Sequence, residues 1–192
     1  MTDNLMIQAV KNLDAALETN RRFPVNVFQG RWDAFLFFDH DLLFEAKAVA
    51  RYKALLACED GALACVRNLD IARAEGISED TIFLDKETLG ETYWAQFRDP
   101  GPPSGWIYRM DRYGCTSDVG RWCIYCERNN EIAVIAVRGI DALGQFAPAL
   151  ETLQALPIKQ AIEKPSSFGL SPRGLTEEWR NELLQEYALR QE

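Results

Sequence analysis

The chain has a single histidine, His40, set between two carboxylates in Asp39-His40-Asp41. An imidazole with a carboxylate beside it can serve as a general base with an orienting acid, and the same trio could supply half of a metal site. Any scheme that needs a His base must use this residue. The simpler reading is structural. The tripeptide falls where a strand should give way to a helix, with Asp41 as the N-cap and Asp39 favourable to the helix dipole.

Cys123-Ile124-Tyr125-Cys126 has the spacing of a redox pair. Such a pair needs a helix N-terminus to lower a thiol pKa and bring both sulfurs together. Here the two cysteines fall inside a predicted strand, where positions three apart face opposite sides. Zinc would need further ligands, and Cys58, Cys65, Cys115 and His40 are not paired at ligand spacing. Gly114 and Gly120 bracket a polar stretch read as a turn, without the Lys and the following helix of a phosphate loop. Asp111, Arg112, Asp118 and Arg121 surround that stretch, as a polar site at the sheet end or as a solvated rim. No nucleophile-elbow, metalloprotease, Walker or dinucleotide motif is present. We therefore assign no catalytic residue, no metal and no cofactor.

One stretch carries excess charge. From Glu75 to Asp99 seven carboxylates stand against Lys86 and Arg98. Asp85 can cap a helix over Lys86–Phe97 whose apolar stripe is Leu89, Tyr93, Trp94 and Phe97. Two readings follow. The aromatics belong to the core and the acids to a solvated face, or the stretch is a docking surface with aromatic anchors in an acidic rim, complementary to a basic partner. On the second reading the candidate binding residues are Asp85, Glu87, Glu91, Tyr93 and Trp94.

These groups need a scaffold, and residues 105–139 supply its centre. Trp122–Glu127 and Ile132–Arg138 are apolar and rich in β-branched and aromatic residues. A primed turn at Asn129-Asn130 would pair Arg128 with Glu131. It would put Trp122, Ile124 and Cys126 across from Val137, Ile135 and Ala133, and Cys123 and Tyr125 across from Ala136 and Val134. Both faces are apolar, so the hairpin should be central and covered on both sides. Trp106–Tyr113 reads as a third strand.

Upstream, Met6, Val10, Leu13 and Leu17 mark a first helix. Arg31–Phe38 reads as a strand with Trp32, Ala34, Leu36 and Phe38 on one face. A helix over Leu42–Cys58 and a strand over Ala62–Asn68 complete a crossover unit with parallel strands. Downstream, a helix ends at Leu156, with Pro148 tolerable only in its first turn. Residues 157–175 read as a surface linker. Thr176 caps a helix over 176–190 whose stripe, Trp179, Leu183 and Tyr187, docks on the body or on a partner.

The bulk numbers narrow the classes. A length of 192 residues suits one well-buried domain, and 47% hydrophobic residues mark a folded chain. A net charge of −8 argues against nucleic-acid binding, since only residues 101–140 carry a positive balance, of one unit. No apolar run is long enough to span a bilayer. Five cysteines without a secretory signal predict reduced buried thiols and a cytoplasmic protein.

A small acidic α+β chain with no catalytic motif, and with a sheet built on W-C-I-Y-C…I-A-V-I-A-V, resembles the immunity proteins encoded beside bacterial toxins and secreted antibacterial effectors. The resemblance is one of general character over the whole chain. It implies tight binding to a cognate toxin and blockage of its active site, and a basic nuclease would suit the negative charge. The expectation is a single α+β domain, with a mixed, largely antiparallel sheet of about five strands flanked by helices, acting as a non-enzymatic protein-binding module. The alternatives are a small enzyme using His40 with a neighbouring Asp, and a structural subunit completed through the C-terminal helix. The oligomeric state is left open.

Overall fold

A computed structural model describes residues 2–70, 81–99, 105, 110–163 and 175–188. The fold is α+β. Six helices among the described residues flank one open sheet: α1 (Thr2–Ala16), α2 (Ala48–Glu59), α3 (Gly90–Arg98), α4 (Ala142–Thr152), α5 (Ile158–Glu163) and α6 (Glu177–Tyr187). The strands are β1 (Ala34–Asp39), β2 (Leu63–Asn68), β3 (Thr81–Asp85), β4 (Arg112–Ser117), β5 (Trp122–Glu127), β6 (Ile132–Val137) and β7 (Leu156–Pro157). Their order is β3-β2-β4-β5-β6-β1-β7, with every neighbouring pair antiparallel. Among the described residues the sheet is thus two strands larger than expected, and all of its pairs are antiparallel.

The central hairpin has the predicted register, with Trp122 opposite Val137, Ile124 opposite Ile135 and Cys126 opposite Ala133. All residues of β5 and β6 are buried. The turn differs. The left-handed residue is Glu131 (φ 56°), not either asparagine, and its N–H donates to the Arg128 carbonyl at 3.0 Å. A four-residue loop therefore replaces the two-residue primed turn while keeping the same pairing.

Strict alternation splits the core into two layers. Leu36, Phe38, Val66, Leu84, Cys115, Trp122, Ile124 and Ile135 pack with Tyr52, Tyr93 and Phe146 from α2, α3 and α4. Phe37, Cys65, Cys123, Tyr125 and Val134 pack on the other face with Leu13 of α1, Ala161 of α5, and Leu183 and Tyr187 of α6. Trp32 joins this second layer, away from Ala34, Leu36 and Phe38, because β1 begins only at Ala34.

Strands β1 and β2 run in the same direction, as the crossover unit requires, but β6, β5 and β4 lie between them. The helix after β1 starts later than predicted. His40–Leu43 form a short 3-10 turn and α2 begins at Ala48. Helix α4 continues through Pro148, beyond its first turn. The stretch read as a linker begins with β7 and α5, and 164–174 fall outside the described residues, as do 106–109 of the proposed third strand. The C-terminal stripe docks on the body: the Tyr187 hydroxyl accepts from Val27 N at 3.1 Å and donates to the Val25 carbonyl at 3.0 Å.

Candidate functional site

Strand β3 delivers the acidic stretch to the edge of the described sheet. Asp85 ends that strand, and its carboxylate accepts from Glu87 N (3.0 Å), Thr88 N (2.8 Å) and Thr88 Oγ1 (2.8 Å). The Thr88 hydroxyl, helped by those backbone donors, holds the Asp85 carboxyl below its ordinary value. Asp85 therefore caps a tight turn rather than the helix. The helix starts at Gly90, with Leu89 as its N-cap and no side-chain bond. A Cβ on Gly90 would stand 2.3 Å from the Ala46 carbonyl oxygen, so close backbone approach at the helix start requires glycine there.

Tyr93 is not a docking residue. It is fully buried, and its hydroxyl donates to the Leu43 carbonyl at 2.7 Å. Phe97 is buried beside it, with ring centroids 4.8 Å apart. Trp94 is half-buried against the same core. Glu87 and Glu91 are exposed, and their carboxylates form no hydrogen bond or ion pair with the described residues. Leu89, placed in the buried stripe by periodicity, is instead 67% exposed. The helix starts one residue after it, so the periodic pattern does not extend that far. Exposed Leu89 and the carboxylate of Glu87 lie in the turn just before α3, and Glu91 and half-buried Trp94 lie on α3 itself, which is held through Tyr93.

The second candidate lies at the opposite end of the strands, where β1 ends. His40 is buried, at 5% exposure, between Asp39 and Asp41. Its Nδ1 lies 3.6 Å from Asp39 Oδ1 and its Nε2 lies 3.2 Å from Asp41 Oδ1. The capping role falls on Asp39, which accepts from Asp41 N at 3.0 Å, and not on Asp41 as predicted. Burial pushes the Asp39 carboxyl up, but the adjacent His40 ring and the bond from Asp41 N outweigh it, and the net shift is downward. His40 stands in the wall of a polar cleft of about 720 Å³ with Asp41, Asp111, Arg128 and Glu131. One ligand-type atom from each of Asp39, His40 and Asp41 can be chosen within 4.8 Å of the others. The two carboxylates face different ring nitrogens, however. They brace the imidazole from both sides rather than surround a common point.

The cysteines are free thiols, and all but Cys58 are buried. Cys123 and Cys126 face opposite core layers. Burial raises the Cys65 thiol to about 12 and pushes Cys123 and Cys126 well up. These are neutral packing groups, without thiolate character. The proposed polar cluster is pulled apart. Asp111 and Arg112 lie at the start of β4, where Asp111 bonds Arg22 at 2.8 Å and Arg112 bonds Asp70 at 2.7 Å. Asp118 and Arg121 lie beyond its other end, and residues 114–117 are strand rather than turn. Comparison with family models, with curated proteins and with solved structures yields no match.

Proposed function

We propose that the chain is a non-enzymatic protein-binding module, an immunity protein that binds and neutralises a cognate bacterial toxin through the acidic surface at Asp85–Glu91. The observation that carries this reading is the pair of free, exposed carboxylates, Glu87 and Glu91, beside exposed Leu89 and half-buried Trp94. Apolar anchors in a charged rim are the usual composition of a specific interface. Rigid anchoring of α3 through Tyr93 lowers the ordering cost of binding. A basic toxin, such as a nuclease, has the complementary charge. The test is capture of products of neighbouring genes by tagged protein, followed by titration of wild type and of Glu87→Lys/Glu91→Lys. The double variant should keep its fold and bind at least about tenfold more weakly, with wild-type affinity falling as salt rises. Equal affinity at low and high salt would reject the acidic face.

A second reading rests on His40, which lines a cleft of about 720 Å³. A small enzyme could use it as a base braced by Asp39 and Asp41. His40→Ala that abolishes an activity while the fold persists would favour this reading over the first.

A further inference from the structure

The His40 side chain is 7% exposed, yet neither of its nitrogens makes a hydrogen bond with a described residue. Nδ1 is sealed from solvent and has no partner. Asp39 Oδ1, at 3.6 Å, is beyond hydrogen-bond range. Nε2 lies 3.2 Å from Asp41 Oδ1, close enough for an aligned N–H to bond, but no such bond forms. The oxygen therefore lies off the axis along which the ring nitrogen points. A buried polar side chain left in this state calls for an outside partner.

Two atoms that share a metal ion have this relation, since each points at the ion and not at the other. With ligand distances of about 2.1 Å, they stand roughly 3.0 Å apart at a right angle and roughly 3.4 Å apart at the tetrahedral angle. The 3.2 Å between Nε2 and Asp41 Oδ1 falls inside that interval. The Asp41 side chain is 80% exposed, and its carboxylate accepts no hydrogen bond from a described residue, so it can turn to meet an ion.

Asp39 and Asp41 flank opposite nitrogens, and only one side of the ring is needed. Asp41 lines the polar cleft of about 720 Å³ together with His40, whereas Asp39 does not, so Nε2 is on the open side. A slight tilt of the ring would set Nδ1–H on Asp39 and leave Nε2 as a lone pair. Metal-bound histidines are commonly oriented by a carboxylate in this way. The cleft has room for waters to complete the shell. Its charge also suits a cation: Asp39, Asp41, Asp111 and Glu131 outnumber Arg128 and the Arg22 that pairs with Asp111.

We infer that His40 Nε2 and Asp41 bind a divalent transition-metal ion of the zinc class in this cleft, with Asp39 as the positioning residue. An imidazole and a carboxylate favour zinc over magnesium or calcium, which take shells of oxygen. The inference rests on neither reading above. The ion takes up the lone pair that a general base would need, and Asp85–Glu91 are not involved.

The test is titration of the protein, free of any histidine tag, with Zn²⁺, followed by calorimetry and by ¹H–¹⁵N spectra of the imidazole. His40 is the only histidine, so its ring gives one set of signals. The expected result is one zinc per chain, a shifted Nε2 resonance and a proton on Nδ1. Asp41→Asn, at an exposed position, should keep the fold and bind zinc at least about tenfold more weakly. His40→Gln should lose as much or more, and Asp39→Asn about tenfold. Cys58→Ser, which removes the one thiol that is not buried, should bind like wild type. Ring signals unmoved at about 1 mM Zn²⁺ would overturn the inference, as would Asp41→Asn binding like wild type. Binding abolished by Cys58→Ser would place the zinc on the thiol and overturn it as well.

Discussion

Replacing Tyr93 with Phe removes one oxygen from the centre of the α3 anchor. The Tyr93 hydroxyl and the Leu43 residue it bonds are both fully buried, and the bond is 2.7 Å long. The ring would remain packed on Phe97 and Tyr52, so no large cavity opens. The cost is then that of a buried carbonyl losing its donor, about 2 kcal/mol. For a chain of 192 residues, each kcal/mol lowers Tm by about 2–4 °C, so the expected fall is about 4–8 °C. Urea unfolding should show a lower midpoint with unchanged m, since the exposed surface does not change. Trp94→Ala provides the contrast. Trp94 is half-buried, so its truncation should cost less than Tyr93→Ala, which should cost about 3–5 kcal/mol as a fully buried aromatic. A Tyr93→Phe loss below about 0.5 kcal/mol would mean that α3 is not fastened to residues 40–47 by this bond, and the presentation of Glu87, Glu91 and Leu89 would lose its stated cause.

Two further outcomes follow from buried groups. Burial raises the Glu59 carboxyl above its ordinary value, against the bond it accepts from Arg121 N at 2.9 Å. A raised folded-state pKa means that the stability tied to this group is whole below the unfolded value of about 4.3 and is lost as pH rises through the folded value. Glu59→Gln should therefore melt above wild type at neutral pH, with the gap closing as pH falls below about 4; an equal gap at both pH values would contradict the assignment. A thiol reagent applied to the native protein should label Cys58 and leave Cys65, Cys115, Cys123 and Cys126 untouched until unfolding, and fast labelling of Cys123 or Cys126 would contradict the two-layer core.

The parts of the fold legible in the sequence were those set by local alternation. The β5–β6 pairing could be read to the residue, because only one register matches apolar faces on both sides of so short a loop. The turn type could not, because Asn-Asn permits left-handed backbone without requiring it, and the strain went to Glu131. Strand β3 was hidden because Thr81–Asp85 is only five residues long and lies in an acid-rich stretch that also reads as helix flank. Leu89 and Tyr93 share a helical stripe in sequence, yet one is exposed and the other fully buried, since the close approach of Gly90 to Ala46 sets where α3 begins. His40 was legible as a corner residue. The cleft beside it was not, because Asp111, Arg128 and Glu131 come to it from distant loops.

The most direct measurement of the central claim is calorimetric titration of a captured partner against wild type, Glu87→Lys/Glu91→Lys and His40→Ala at two salt concentrations. The account predicts a stoichiometric complex that weakens with salt, weakens at least about tenfold further in the double charge reversal, and is indifferent to His40. A complex unaffected by the charge reversal but lost with His40→Ala would contradict it and move function to the cleft at the end of β1.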